Sequence, residues 1–399
     1  MGLLFFALFN SILGLSVLFP VLGPLGRSLH LSETEIGLVS TGYALTQLLF
    51  APYWGRLSET KGRKPVLLTG IVGYALGFGA FGFVAWLGER ETIPHEWLLP
   101  GLVCARLVGG ALSSATLPTA QAYAADLSDA ANRTAAMGIV GAAFGLAIIF
   151  GPGLGAGIAH FAGLLAPVWL SVALALANAV LVLVLLPEPP RKNVVHRPPA
   201  LLPVARKVPA LLVVGFVATL SSVAMEQTIA FAFEDRLGLS HDETPMWVGA
   251  GLVAYGIVAV FAQGFLVRRY RIAPRTLVLV GLPIAMVGMG LLVVASSFPF
   301  LVVALTIQGL GQGLVLPGVT SALSLGVTDA EQGAVAGVNS SVQGLARLAG
   351  PVVGSKLYEI SGALPYSFST LILLAALGFV LASRDVARTR EHTVGASPS

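Results

Sequence analysis

Long apolar stretches separated by short polar segments repeat along the whole chain. A helix that crosses a bilayer needs roughly 20 mostly apolar residues, and twelve stretches meet that length. They cover residues 3–25, 34–54, 66–87, 96–124, 135–160, 164–187, 209–233, 245–266, 275–296, 299–324, 333–357 and 363–383. The breaks between them are short and polar, and several carry charges. This pattern predicts an all-α integral membrane protein with twelve transmembrane helices.

The composition agrees with this pattern and excludes several classes of protein. Of 399 residues, 56% are hydrophobic and 11% are charged, whereas a soluble domain has about 25% charged residues. The mean hydropathy of +0.86 excludes a disordered chain. The one cysteine, Cys104, excludes a disulfide framework and a multi-cysteine metal site. The six histidines show no metal-ligand spacing, and we predict neither a metal nor a cofactor.

Lysine and arginine are distributed unevenly among the polar segments that separate the apolar stretches and fall alternately on the two sides of the membrane. If the N-terminus is cytoplasmic, 17 of the 23 basic residues fall on the inner side and four on the outer side. The positive-inside rule then predicts a multi-pass protein of a bacterial-type inner (cell) membrane with both termini cytoplasmic. The same placement accounts for the net charge of +4, so no nucleic-acid partner is predicted. We expect a monomer in the lipid bilayer.

The chain repeats itself at a spacing of 199 residues. Gly151-Pro152 recurs as Gly350-Pro351, and Gly155 recurs as Gly354. Between the two repeats lies a segment rich in proline and charge, which favours a water-exposed linker. Two parallel six-helix halves around a central cavity are a known way to build a secondary transporter. We predict pseudo-symmetric six-helix bundles at 1–187 and 209–385, a cytoplasmic linker at 188–208 and a cytoplasmic tail at 386–399.

Three charged residues lie well inside the predicted spans, namely Arg106, Glu226 and Arg347. A charge at mid-bilayer costs about 2.5–3.5 kcal/mol on insertion scales, so each needs a function or a partner. Glu226 is the sole carboxylate well within a span, and a carboxylate can bind and release a proton. We therefore predict that Glu226 couples transport to protons. The alternatives are a structural ion pair with Arg106 and a side chain that reaches towards the outer surface.

Several segments resemble signatures of the major facilitator superfamily. Residues 55–64, GRLSETKGRK, resemble the loop signature between helices two and three, with Glu59 at the position where aspartate is usual. Residues 106–110, RLVGG, resemble the helix-four signature. Residues 151–155 resemble the helix-five signature of drug–proton antiporters, the branch that includes the multidrug and tetracycline efflux proteins. The resemblance extends over the whole chain in span count, loop lengths and duplication.

The resemblance implies a cytoplasmic latch between the two halves. Its residues would be Gly55, Glu59, Gly62, Arg63 and Asp126. The glycines permit positive φ, so that helices can stop and restart, and the acid can sit against a helix N-terminus or an arginine. The alternative is a solvated basic loop that only fixes the topology.

The glycines and proline of helix five predict a kink with close packing. Pro152 removes a backbone donor, while Gly151 and Gly155 present no side chain to a neighbouring helix. A role of this kink in setting the direction of exchange is implied by the resemblance alone. Ordinary membrane packing, in which glycine and proline are common, is the alternative.

Helices one, four, seven and ten line the cavity in the superfamily. The polar side chains on those helices are predicted to contact substrate; they are Asn10, Arg106, Ser113, Gln227, Gln308 and Gln312. Arg347 is predicted as a second cavity charge or as the partner of Glu226, and Tyr43 and Gln47 of helix two are weaker candidates. Each of the uncharged side chains could instead bond between helices.

Motifs of enzymes and ATP-driven pumps are missing from the sequence. It contains no phosphate-binding Gly-Lys-Ser/Thr loop, no nucleophile elbow and no zinc-binding helix, and we do not expect an enzyme. The sequence predicts a secondary active transporter that exports small amphiphilic or cationic compounds in exchange for protons by alternating access. A dedicated metabolite exporter, a proton-coupled importer, and a non-transporting membrane receptor or scaffold stay open.

Overall fold

The computed structural model describes residues 2–128, 133–189, 201–270, 272–328 and 331–383. All regular structure within these residues is helical. The helices are α1 (Gly2–Ser16), α2 (Leu22–Ser28), α3 (Glu33–Lys61), α4 (Arg63–Glu89), α5 (His95–Ser113), α6 (Thr116–Asp126), α7 (Arg133–Ala162), α8 (Ala166–Leu185), α9 (Leu201–Ala205), α10 (Pro209–Leu237), α11 (Thr244–Phe261), α12 (Val267–Tyr270), α13 (Pro274–Val294), α14 (Phe298–Leu325), α15 (Gln332–Ile360) and α16 (Leu364–Ala382). A π-helical turn, Ala262–Leu266, joins α11 to α12. Most of the predicted linker and the predicted tail at 386–399 lie outside the described residues.

Every one of the twelve predicted spans coincides with one or two of these helices. Nine helical segments of the described residues are long and apolar enough to cross a membrane. The remaining three spans correspond to α1, which has 15 residues, and to α3 and α15, which have 29 residues each but are more polar. The predicted all-helical membrane fold is confirmed.

Two of the differences from the predicted boundaries bear on the predicted motifs and on the first span. The first span is interrupted, because α1 ends at Ser16 and α2 begins at Leu22; Pro20, which lacks a backbone donor, lies in the intervening turn. The predicted loop at 55–64 is almost entirely helical, since α3 continues to Lys61. Gly55 therefore lies within a helix. The break falls at Gly62, whose φ of 106° is one that glycine adopts without strain.

Close packing of α7 against the end of α1 depends on Gly151 and Gly155. A Cβ atom at Gly151 would lie 1.9 Å from Ser16 Oγ, and one at Gly155 would lie 2.0 Å from the carbonyl oxygen of Val17. Ser16 Oγ also donates a hydrogen bond of 2.7 Å to the carbonyl oxygen of Ala147. The absence of side chains thus lets α7 contact the end of α1 directly, backbone against backbone.

The second half repeats this packing. A Cβ atom at Gly350 of α15 would lie 2.6 Å from Val223 Cγ1, and one at Gly354 would lie 3.0 Å from Ala224 Cα. Both contacts are made with α10, which begins the second set of six spans as α1 begins the first. The sequence repeat is therefore also a repeat of helix packing.

The contacts divide the chain into two compact units. Unit 1 comprises residues 1–194 and 229–253, and unit 2 comprises residues 195–228 and 254–399. The division passes through α10 and α11, so the outer end of α10 packs with unit 1. The domain boundary at the linker, which was derived from the duplication, stays a prediction.

Candidate functional site

Glu226 lies at the centre of a polar cluster in unit 2. Ser222, one turn earlier in α10, donates from Oγ to Glu226 Oε1 at 3.0 Å. The Ser222 Oγ atom also lies 3.2 Å from the hydroxyl oxygen of Tyr255 in α11. Arg347 of α15 attracts Glu226 electrostatically, although no ion pair joins them. We call Ser222, Glu226, Tyr255 and Arg347 the carboxylate cluster.

The acid of the carboxylate cluster lies deep within a long apolar helix, α10. Glu226 is about 26 Å along α10 from Pro209, at 1.5 Å per residue. Glu226 is nevertheless partly exposed, and Arg347 is exposed. Charged side chains at this depth characteristically face water-filled space or one another and avoid lipid. Gly350 and Gly354, which let α15 approach α10, bring the two charges to neighbouring helices.

The two glutamines of α14 are buried among packed helices. Gln308 is fully buried, and both its polar side-chain atoms lack a partner among the described residues. Gln312 is 6% exposed, and its Nε2 donates to the carbonyl oxygen of Ala218 at 3.5 Å. Asn10 and Gln227 are partly exposed. Of the amides predicted to contact substrate, these last two are the accessible ones.

Arg106 occupies an aromatic environment in unit 1. Its guanidinium carbon lies 4.4 Å from the centre of the Phe81 ring, 4.7 Å from that of Phe78 and 5.7 Å from that of Tyr43. The residue is 5% exposed. It forms no ion pair with any residue that the structure describes in unit 1, so the aromatic rings are its main contacts.

Tyr43 joins Arg106 to the other polar side chains predicted on α3 and α5. Its hydroxyl oxygen accepts hydrogen bonds from Ser113 Oγ at 3.0 Å and from Gln47 Nε2 at 3.1 Å. Ser113 is 6% exposed. We call Tyr43, Gln47, Phe78, Phe81, Arg106 and Ser113 the arginine cluster. The sequence singled out four of its members; the two phenylalanines could not be told from ordinary core residues.

On the predicted cytoplasmic side, Arg63 and Asp126 come together. Arg63 Nε donates to Asp126 Oδ2 at 2.8 Å, and Arg63 Nη1 donates to Ser58 Oγ at 2.7 Å. The pair ties α4 to α6 within unit 1. Glu59, by contrast, is exposed and makes no hydrogen bond or ion pair with the residues described in its unit. A latch between the two halves stays a prediction.

The acid at the N-terminus of α4 is Glu188. Its two carboxylate oxygens accept the backbone N–H groups of Arg63, at 2.6 Å, and Lys64, at 3.0 Å. A carboxylate at this position satisfies free donors of the first turn and complements the helix dipole. Tyr123 helps to hold the segment by donating to the carbonyl oxygen of Pro187. Glu59 is therefore not the acid at the N-terminus of α4, and its place in the latch stays a prediction.

The comparisons with known proteins agree with this architecture. The sequence profile of the Major Facilitator Superfamily matches residues 4–270 and 209–398. The chain belongs to the Major Facilitator Superfamily. The predicted resemblance is confirmed, and the protein is a multi-pass membrane transporter.

Relatives of this transporter include multidrug and tetracycline resistance proteins. The chain is 26% identical to "Multidrug resistance protein 1" of Bacillus subtilis (strain 168), over 97% of this chain and 96% of that protein. It is 28% identical to "Tetracycline resistance protein, class B" of Escherichia coli, over 92% of this chain and 93% of that protein. The crystal structure of the human organic anion transporter MFSD10 (TETRAN) has the same fold, with a TM-score of 0.67 at 21% identity over 95% of this chain and 98% of that one.

A further charged network lies on the transporter's predicted outer side, entirely within unit 1. The guanidinium of Arg27 donates to Glu33 at 2.6 Å, to Glu234 at 2.9 Å and to Asp235 at 2.6 Å. His241 Nδ1 lies 3.1 Å from Glu234 Oε1. We call these five residues the Arg27 network. Sequence reasoning missed it, because its members lie up to 214 positions apart and each one alone resembles a solvated charge.

Burial and hydrogen bonding act in opposite directions on Arg27. Burial lowers the pKa of its guanidinium, but the hydrogen bonds to Asp235, Glu234 and Glu33 outweigh burial and raise that pKa above its ordinary value. The cation is thus permanently charged and fixed by three carboxylates. It also lies 4.8 Å from the centre of the Phe231 ring. The network fastens α2 and the start of α3 to the outer end of α10.

Arg27→Gln is expected to destabilise the folded transporter by about 2 kcal/mol, between the values for exposed and for buried ion pairs, because Arg27 is partly buried. The reason is that Glu33, Glu234 and Asp235 would then face one another without a cation. Thermal unfolding of the purified protein measures the loss. Arg90→Gln is the matched control, because Arg90 is exposed and stacks on Trp86. A double-mutant cycle with Glu234→Gln should be strongly non-additive; additive losses would contradict the network.

Proposed function

We propose that this transporter exports small amphiphilic or cationic compounds in exchange for protons, by alternating access. The observation that carries the proposal is Glu226, an ionisable carboxylate embedded in a long apolar helix with a hydroxyl donor and a cation nearby. The multidrug and tetracycline resistance proteins among its relatives support the choice of substrate class. We further propose an inner-membrane location, cytoplasmic termini and a monomer.

In the carboxylate cluster, protonation of Glu226 can change the force between two helices. When Glu226 is ionised, it accepts a hydrogen bond from Ser222 and is attracted by Arg347. A proton on Glu226 cancels that attraction and also removes the cost of holding a charge among apolar helices. The force between α10 and α15 therefore changes with protonation. An exchange cycle needs such a change so that proton and substrate are carried in alternate steps.

The remaining predicted positions would support this cycle. We propose that the partly exposed amides Asn10 and Gln227, together with Ser113, Gln308 and Gln312, contribute polar groups to substrate binding. On the cytoplasmic side we assign the latch to Arg63 and Asp126. Gly55 lies within α3, and Gly62 allows the break between α3 and α4 next to Arg63. The helix-five segment with Gly151, Pro152 and Gly155 would provide a rigid pivot against α1.

Inside-out membrane vesicles energised to a pH gradient test the proposal. A pH-gradient dye is recorded while cationic drugs, cationic dyes and tetracycline are added in turn, with vesicles that lack the transporter as control. Exchange predicts that substrates dissipate the gradient only where the transporter is present. No response to any compound, with the protein confirmed in the membrane, would favour a dedicated metabolite carrier. Ligand binding without any flux would favour a receptor.

A further inference from the structure

The Ser222 hydroxyl of the carboxylate cluster lies between two partners on different helices. Its Oγ is 3.0 Å from Glu226 Oε1, one turn later in α10, and 3.2 Å from the phenolic oxygen of Tyr255 in α11. Ser222 is 4% exposed and Tyr255 is 7% exposed, whereas Glu226 is partly exposed. A serine hydroxyl carries one proton, so it can donate to only one of its two partners at a time. The direction of one bond therefore decides the direction of the other.

Ionised Glu226 fixes the direction of both bonds. A carboxylate only accepts, so Ser222 donates to Glu226, and Tyr255 in turn donates to Ser222. Each hydroxyl proton then has an acceptor, and the bond to the carboxylate is about twice as strong as a bond between neutral groups. The two hydroxyls thus form a chain that stabilises the ionised acid and ties α11 to α10.

Protonation of Glu226 weakens this hydroxyl chain. A neutral carboxyl group that still accepts from Ser222 does so without the charge that strengthens the bond. If the added proton lies on Oε1 instead, Glu226 donates to Ser222 and Ser222 donates to Tyr255. The phenolic proton of Tyr255 is then left without an acceptor among the residues described in unit 2, which is unfavourable for a buried donor. In both cases the link between α10 and α11 is weaker than with ionised Glu226.

Close packing of α14 holds both helices that carry the hydroxyl chain. A Cβ atom at Gly309 would lie 2.6 Å from the carbonyl oxygen of Tyr255, so the backbones of α14 and α11 are in contact at this residue. Gln312 of α14 donates from Nε2 to the carbonyl oxygen of Ala218, one turn before Ser222. Donors that packing holds in place stabilise a charge without first having to be oriented.

The other helices of unit 2 bring one further charge to Glu226. Arg347 of α15 attracts the ionised acid and thus acts in the same direction as the hydroxyl chain. α14 carries no ionisable side chain. The other ionisable side chains of α13, α15 and α16 are Arg275, Lys356, Tyr358, Glu359 and Tyr366. Of these, Tyr366 contacts α10, where its hydroxyl lies 3.3 Å from Thr228 Oγ1. Removal of a hydroxyl from the chain leaves the attraction of Arg347 in place.

We propose that Ser222 and Tyr255 are positioning residues that set the proton affinity of Glu226 and convey its protonation to α11. The inference rests on the proposed proton exchange and adds a regulation of its proton site. Ser222 and Tyr255 keep their own protons. The proton that Glu226 takes up comes from water that reaches its partly exposed carboxyl group, and the hydroxyls respond by changing the strength or direction of their bonds.

Infrared difference spectroscopy on the purified transporter in lipid nanodiscs tests the inference without any substrate. Spectra are recorded as the pH is lowered, and the carboxyl C=O band that is missing from Glu226→Gln reports protonation of Glu226. Ser222→Ala should move the midpoint of this band upward by about one pH unit, a tenfold change in proton affinity, since a hydrogen bond to a charged group is worth about that much. Ser222→Thr, which keeps the hydroxyl, should titrate as wild type does.

Tyr255→Phe supplies a second, independent readout. It should move the midpoint in the same direction as Ser222→Ala but by less, because it removes the donor to Ser222 and leaves the donor to Glu226. It serves as the test if Ser222→Ala does not fold. The phenolic C–O band that is missing from Tyr255→Phe should change in wild type with the same midpoint as the carboxyl band, because the hydrogen bond of the phenol changes with the charge on Glu226.

Two matched controls make the same chemical changes outside the hydroxyl chain. Ser221 is 1% exposed, and its Oγ has no partner among the described residues. Ser221→Ala and Tyr366→Phe should therefore titrate as wild type does. An unchanged midpoint in Ser222→Ala, an equal shift in Ser221→Ala, or a phenolic band that does not change with pH would overturn the inference and leave the export proposal standing. A wild type in which the Glu226 band does not depend on pH would count against both.

Discussion

Glu226→Gln should reduce drug-induced dissipation of the pH gradient to the level of vesicles without the transporter. Glutamine has nearly the shape of glutamate and still accepts the hydrogen bond from Ser222 Oγ, which is 3.0 Å from Glu226 Oε1, but it cannot take up a proton. Substrate movement down its own concentration gradient can persist, because no proton needs to be carried in that case. The measurement is dye fluorescence in inside-out vesicles, together with uptake of the same substrate without a gradient.

The control for this variant makes the same chemical change at an exposed position. Glu96 lies in the first turn of α5 and is exposed, so Glu96→Gln should exchange protons as wild type does. Glu226→Asp keeps the carboxylate but draws it back from Arg347, so partial activity is expected. Full proton exchange by Glu226→Gln would locate the proton site elsewhere and remove the observation on which the proposed mechanism rests.

The central acid of the carboxylate cluster could be found from the sequence, but its partners could not. A carboxylate in a span stands out, because insertion cost makes such residues rare. Ser222 and Tyr255 do not stand out, since serine and tyrosine are common in membrane helices. Only the packing of α11 against α10 shows that the two hydroxyls meet. The sequence marked Arg347 as a charge within a span. Its closeness to Glu226 depends on Gly350 and Gly354, which let α15 pack against α10.

The cytoplasmic side shows a different limit of sequence reasoning. The motif drew attention to Glu59, because it occupies the position of the signature acid. In the structure, however, the N–H groups at the start of α4 donate to Glu188. The two acids are 129 positions apart, and both lie in polar stretches of the sequence. Capping depends on which carboxylate reaches the free N–H groups, and that is decided by tertiary contacts such as Tyr123 with Pro187.

The spans themselves were predictable because one physical requirement dominates them. Every helix that crosses a bilayer must be long and apolar, and hydropathy measures this directly. The ends were less predictable, since hydropathy does not register helical continuation beyond the membrane, as in α3 up to Lys61. Nor does it register a break inside an apolar stretch, as at Pro20. Caps and local backbone chemistry decide those positions.

Gly155→Ala should destabilise the transporter strongly, whereas the identical change two residues later should not. The added methyl group at Gly155 would lie 2.0 Å from the carbonyl oxygen of Val17, while one at Gly157 meets no atom within 4 Å. A backbone carbonyl cannot rotate away, so α7 and α1 must separate. We expect a loss of about 3 kcal/mol, the upper part of the usual range for overpacking.

The matched substitution at Gly157 isolates this effect from helix propensity. Alanine is about 1 kcal/mol more favourable than glycine in a helix interior. Gly157→Ala should therefore be neutral or stabilising, whereas Gly155→Ala should be destabilising. Gly354→Ala, the repeat of Gly155 in the second half, has its tightest contact at 3.0 Å and should fall between them. Thermal unfolding of the three purified proteins gives the order. If Gly155→Ala were as stable as Gly157→Ala, the two helices could not be packed backbone against backbone, and the structural equivalence of the two halves would lose its main support.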